Sequence, residues 1–195
     1  MLNDRSSILS LLTTRRSGRP RDMAGPGPSD SELRQMLEIA ARTPDHGKLS
    51  PWRFVIVGPD QRDALADLFR TALADEEPEA PAAKIGKAVD LARSEAALVV
   101  ILSTPTERHK VPVWEQQLSC GAAAMNLLWA AHAMGYVGGW VTGWQAYSPA
   151  VAEAFCGPGE RIAGFLFIGQ PGRELEERSR EPLETVVRHW HGTDT

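Results

Sequence analysis

The sequence predicts an α/β or α+β sandwich, with helices packed on a central sheet. Helical and strand patterns alternate irregularly along the chain. The run "AALVVILS", 96 to 103, is apolar almost throughout, as a strand covered on both faces requires. A length of 195 residues with 43% hydrophobic content suffices for one core, so residues 1–195 are expected to form a single domain.

Each element has a local reason. In "SSILSLLTT", 6 to 14, Ile8, Leu9, Leu11 and Leu12 suit a short helix with Ser6 or Asp4 as N-cap. Gly25, Pro26, Gly27 and Pro28 mark 21 to 28 as a loop. The next segment opens with Ser29 and Glu32 at capping-box spacing, and Leu33, Met36, Leu37 and Ala40 share a helix face. Pro44 disfavours helical geometry at Thr43 and should end that helix there. "WRFVIVG", 52 to 58, reads as a strand, and "DQRDALADLFRTALA" as a helix with Leu65, Leu68, Phe69 and Leu73 in one stripe. The acidic run "DEEPEAPAA" reads as a mobile connection, and "KIGKAVDLAR" as a short helix before the 96–103 strand.

The longest helix is expected over 113 to 134, stopped by Gly135. "GYVGGWVTG" follows as a glycine-rich strand or turn, then Ser148 and Pro149 open another helix as N-cap and first residue. "IAGFLFIG", 162 to 169, is the last strand. Beyond Gln170 no amphipathic core element remains, yet Leu183, Val186, Val187 and Trp190 favour docking of this tail against a partner.

Composition narrows the partners. A net charge of −4 and a pI of about 5.8 supply no positive field toward nucleic acid or anionic lipid. Cys120 and Cys156 are too few for a disulfide framework, so a reducing cytoplasm is expected. The N-terminus lacks the order of a signal peptide, and no apolar run approaches the ~20 residues that span a bilayer.

Three stretches carry candidate chemistry. Arg15, Arg16 and Ser17 form an "RRS" triplet after the first helix; guanidinium forks and a hydroxyl suit a phosphate, although basic residues also complement a helix C-terminus. Arg42 and His46 stand four apart in a polar loop leading into the 52–58 strand, placed either to bind a polar ring or to hydrogen-bond loop carbonyls. Within "GGWVTG", the glycines around Trp140, Val141 and Thr142 permit close approach of a planar ligand, or serve a twisted, bulged strand.

Other signals are bland. No G-x-G-x-x-G, P-loop or G-x-S-x-G occurs, Cys120 reads as a small buried filler, and Glu115 sits at a helix start where the dipole favours a carboxylate anyway. His189 and His191 lack the neighbours of a metal site, and neither a catalytic acid or base nor a metal centre is expected.

The "RRS" triplet, "RTPDHGKLSPWRFVIVG", "HKVPVWEQQLSCGAAAMNLLWAAHAMGYVGGW" and "FLFIGQP", taken in order, resemble the nitroreductase family, most closely its short members. That resemblance implies an α+β three-layer sandwich whose central sheet is mixed and mainly antiparallel, in an obligate homodimer with exchanged terminal segments. It also implies FMN as cofactor, NAD(P)H as electron donor and ping-pong transfer to a small nitroaromatic, quinone or enone acceptor. An FMN-binding dimer that stores or senses flavin without turnover is the alternative.

Carried over residue by residue, Arg15, Arg16 and Ser17 resemble the phosphate and ribityl grip, joined by Arg178 or Arg180 from the C-terminal segment. Arg42 and His46 resemble contacts that one subunit offers to the flavin of the other. Trp140, Val141 and Thr142 match the stretch beside the isoalloxazine, and 130 to 135, "AAHAMG", a region associated with nicotinamide binding. Ser50 stands where the family usually has glutamine, and Val141 where close relatives can be basic.

Overall fold

The computed structural model describes residues 1–192. Along the chain run α1 (Ile8–Thr14), β1 (Met23–Ala24), α2 (Asp30–Ala40), β2 (Trp52–Val57), α3 (Arg62–Glu76), α4 (Ala82–Ala92) and β3 (Ala97–Ser103). Then follow α5 (Val113–Ala133), β4 (Val137–Val141), α6 (Pro149–Phe155), β5 (Arg161–Pro171) and the single-turn α7 (Leu183–Val186).

β5 is the organising strand. β3 and β4 pair along its two edges, the short β1 pairs with its C-terminal end at Gln170 and Pro171, and β2 lies outside β3. These pairings are all antiparallel; the mixed component of the expected sheet is not found among the described residues.

Alternation along β3 builds the layers. Leu98, Val100 and Leu102 face a core shared with α3, α4 and α6, whereas Val99 and Ile101 face a second core shared with α2 and α5. A bulge at Ala163 of β5 adds one residue, so that Ile162 joins Phe165 and Phe167 in the first core while Leu166 and Ile168 enter the second. The result is a three-layer α+β sandwich.

Several local expectations hold. Ser29 and Glu32 make a complete capping box, and Ser148 Oγ accepts from Val151 N–H at 3.2 Å with Pro149 opening α6. Three need correction. The N-cap of α1 is Ser7, not Ser6 or Asp4, because Asp4 is tied back to Thr14 while Ser7 Oγ takes the Ser10 N–H at 3.0 Å. α2 ends at Ala40 rather than Thr43: the Thr43 amide and hydroxyl both donate to the Ala40 carbonyl and close the helix early. The supposed loop 21–28 contains β1, whose Met23 and Ala24 pair with Pro171 and Gln170 and lead the chain after β5 back toward α1.

Candidate functional site

Arg15 caps the C-terminus of α1. Its guanidinium lies 5.8 Å over the Trp129 ring of α5 and donates to Ser17 Oγ at 2.9 Å. Arg16 is held at both ends: its N–H donates to Asn3 Oδ1 at 2.7 Å, and its Nε donates to the Glu176 carbonyl at 2.7 Å. The segment after β5 therefore runs back past α1. It brings Arg180 within 3.5 Å of the Arg15 carbonyl and sets Arg178 beside Arg16, Ser17 and Gly18 around a cavity of about 650 Å³.

Arginines 165 residues apart thus meet at one place. Burial, followed by the charges of Arg180 and Arg16, holds the Arg15 pKa below its ordinary value, with Glu177 opposing them. Clustered guanidiniums that repel one another suit a phosphate, which would neutralise that repulsion and accept forked hydrogen bonds. The donor set fits the phosphate of a flavin mononucleotide.

The glycine stretch lies alongside. Gly18 N–H donates to the Gly138 carbonyl at 3.1 Å, and a Cβ on Gly139 would meet Gly18 O at 2.5 Å, so only glycine allows this approach. Since Gly138 O points away from β5, strand alternation turns the backbone of Trp140 to the same free edge. The Ser17–Gly18 step therefore lies against the middle of β4.

Trp140 is tied down: its Nε1–H donates to the Ala163 carbonyl at 3.0 Å, directly above Gly164. The indole stays 38% exposed, enough to border a ligand. Val141 is half-buried beside Arg19, Met23 and Lys87 in a neighbouring cavity of about 730 Å³, and Thr142 is exposed. A Cβ on Gly164 would fall 2.0 Å from Trp140 Nε1. Gly164→Ala is therefore expected to displace the indole and destabilise the fold by about 1–3 kcal/mol, measured by urea unfolding with tryptophan fluorescence as the probe.

Arg42 and His46 lie elsewhere on the chain. Asp45 organises their loop by accepting the N–H groups of Leu49 and Ser50, and the backbone is left-handed at Gly47, Lys48 and Ser50. For the two non-glycine residues that geometry costs about 1–2 kcal/mol each, and such strain collects at ligand sites. His46 Nδ1 is 2.8 Å from Glu115 Oε2 in the first turn of α5, whereas Arg42 is exposed without a side-chain partner among the described residues.

Glu115 and Trp129 are separated by 14 positions on α5, about 21 Å along the axis. His46 and Arg15, which they hold, are accordingly not neighbours within one chain.

Sequence reasoning missed the groups behind the candidate residues. Trp129 and His132, three apart on α5, both lie by Arg15, and their spacing was the available signal. His132 is fully buried, neither ring nitrogen has a hydrogen-bond partner among the described residues, and burial followed by the Arg15 charge, against a weaker opposing effect of the Tyr136 backbone, pushes its pKa down to about 4. It borders a cavity of about 1070 Å³ with Asn3, Arg5, Gly135 and Tyr136. Cys120 is buried and its thiol is pushed up to about 11 by desolvation, which suits a filler rather than a nucleophile.

Fold and site together define an α+β protein that gathers arginines from both ends of the chain beside a glycine-lined sheet edge. The nitroreductase family profile matches residues 12–170, and the chain belongs to that family. It is 36% identical over 168 residues to the "Putative NAD(P)H nitroreductase YdjA" of Escherichia coli strain K12, covering 84% of this chain and 87% of that protein.

Among solved structures, a nitroreductase-like family protein from Bacillus cereus superposes with a TM-score of 0.82 at 24% identity, covering 96% of this chain and 97% of that one. A "putative nitroreductase in complex with FMN" from Desulfovibrio desulfuricans gives 0.71 at 19% identity over 95% and 97%. At these identities the two structures establish the shared fold.

Proposed function

We propose that residues 1–195 form one FMN-binding domain of an NAD(P)H-dependent oxidoreductase that works as a homodimer in the cytoplasm. The observation that carries this reading is the convergence of Arg15, Arg16, Ser17, Arg178 and Arg180 beside the free edge of β4. Arg15, Arg16 and Ser17 bind the phosphate, with Arg178 and Arg180 closing the site from the C-terminal segment. Trp140, Val141 and Thr142 flank the ring, and backbone N–H groups at the β4 edge stabilise negative charge developing there.

When bound, the flavin would supply the redox chemistry of a ping-pong cycle between NAD(P)H and a nitroaromatic, quinone or enone acceptor. The side chains assigned here bind and orient; none is asked to act as acid or base. The family resemblance assigns the region 130–135, at the C-terminal end of α5, to the nicotinamide donor; Ala133, Met134 and Gly135 are the part of it that reaches the surface.

A second copy of the chain is supported by apolar side chains left in water. Ile8 and Leu9 of α1 are 81% and 70% exposed, and Leu183, Val186 and Trp190 of the tail are similarly open. Such surface calls for a partner. The separation of His46 from Arg15 within one chain supports giving Arg42 and His46 to the flavin of the other subunit.

Steady-state oxidation of NADH and NADPH with a quinone acceptor tests this reading, with sedimentation to establish the dimer. Parallel double-reciprocal lines are expected. A flavin-loaded protein without turnover would instead support the storage or sensing dimer.

A further inference from the structure

We propose that Glu115 is a positioning residue for His46: its carboxylate fixes the tautomer and direction of the imidazole, so that Nε2 is presented to the flavin. This rests on the assignment of His46 to the flavin site made above. The carboxylate oxygen at 2.8 Å from Nδ1 accepts only from a protonated nitrogen. Nδ1 therefore carries hydrogen, and in the neutral ring Nε2 is left as the free acceptor.

Both partners are mounted on fixed supports. On the His46 side, Asp45 accepts two amides of the loop and holds its left-handed turn. On the other side, the neighbour of Glu115 in sequence, Gln116, is 2% exposed and clamps the 104–112 loop. Its Oε1 accepts from Thr106 N–H at 2.8 Å, while its Nε2 donates to the carbonyls of Thr106 at 3.2 Å and Val111 at 3.0 Å.

That clamped loop packs back on the His46 loop, since a Cβ on Gly47 would meet Val111 Cγ2 at 3.2 Å and His109 Cε1 at 3.5 Å. Glu115 and His46 thus face each other from backbones that are each held in place, and their mutual hydrogen bond is what orients the ring. The pair is also exposed, with side chains 64% and 45% accessible. A hydrogen bond between groups so open to water contributes little to folding, so its effect should appear in ring orientation rather than in stability.

The test is the tautomer of His46, read from long-range 1H–15N correlations of the imidazole in the full chain, together with a double-mutant cycle on FMN binding. The wild type is expected to show the Nδ1–H form. Glu115→Gln keeps it, because the amide oxygen still accepts, and Glu115→Ala loses it while melting within about 2 °C of the wild type.

Glu115→Ala should raise the FMN dissociation constant about tenfold in the wild-type background and leave it unchanged when His46 is already alanine. An Nε2–H tautomer in the wild type, an unaltered tautomer in Glu115→Ala, or equal losses of FMN affinity with and without His46 would overturn the proposal. A wild type that binds no FMN overturns the functional reading and the flavin-facing part of this proposal, whereas the tautomer is read without flavin.

Discussion

Arg16→Ala is expected to raise the FMN dissociation constant by about 30- to 100-fold, the equivalent of losing one charge-assisted contact to phosphate. Of the two adjacent arginines, Arg16 lines the cavity facing Arg178, while Arg15 is turned onto Trp129 and Ser17. Arg16 also tethers the returning segment through its Nε bond to Glu176 O. The substitution therefore removes a phosphate partner and loosens the strand of chain that brings Arg178 and Arg180 to the site. Arg16→Lys should recover only part of the loss, since an ammonium replaces the charge but not the forked geometry. Flavin fluorescence quenching measures the constants, and flavin content equal to the wild type in purified Arg16→Ala would refute the assignment.

The second large effect is on acid stability. His132 titrates at about 4 in the folded chain against 6.5 as its ordinary value, because burial and the Arg15 charge disfavour the imidazolium. Between these pH values the unfolded chain binds a proton that the folded chain refuses. The contribution of His132 to stability is therefore fully present above about pH 6.5 and is lost as pH falls toward 4. The loss amounts to about 3 kcal/mol, at about 1.36 kcal/mol per pKa unit. Urea unfolding of the wild type and His132→Leu at pH 7 and pH 4.5 measures it. The leucine variant should lose markedly less stability on acidification; equal losses would show that His132 is not held neutral by the fold.

Much of the architecture was legible because its causes are local. The Ser29–Glu32 box, the Ser148–Pro149 start of α6, the apolar run of β3 and the left-handed Gly135 after α5 are short-range signals, and each element follows. What escaped depends on partners distant in sequence. β1 exists because Pro171 and Gln170 come to pair with Met23 and Ala24, and the Ala163 bulge is visible only in the register of β5 against β3.

The site divides in the same way. The residue types in "RRS" suggested a phosphate, but that Arg180 reaches Arg15 across the length of the chain is a property of the folded tail. Glu115 looked like a carboxylate favoured by a helix dipole; its contact with His46, 69 residues away, gives it a more specific use. Trp140 was expected at the border of a planar ligand. Its bond to Ala163 and its seat over Gly164 arise only once β4 and β5 are side by side.

The central claim is that the arginine cluster beside β4 holds FMN, and the most direct measurement is the visible absorption spectrum of the freshly purified protein, with identification and quantitation of the flavin released by heat. Flavin bands near saturation at one FMN per chain are expected, lost in proportion to affinity in Arg16→Ala. A colourless protein that takes up no added FMN would contradict it and leave Arg15, Arg16, Arg178 and Arg180 as the site of a different anion.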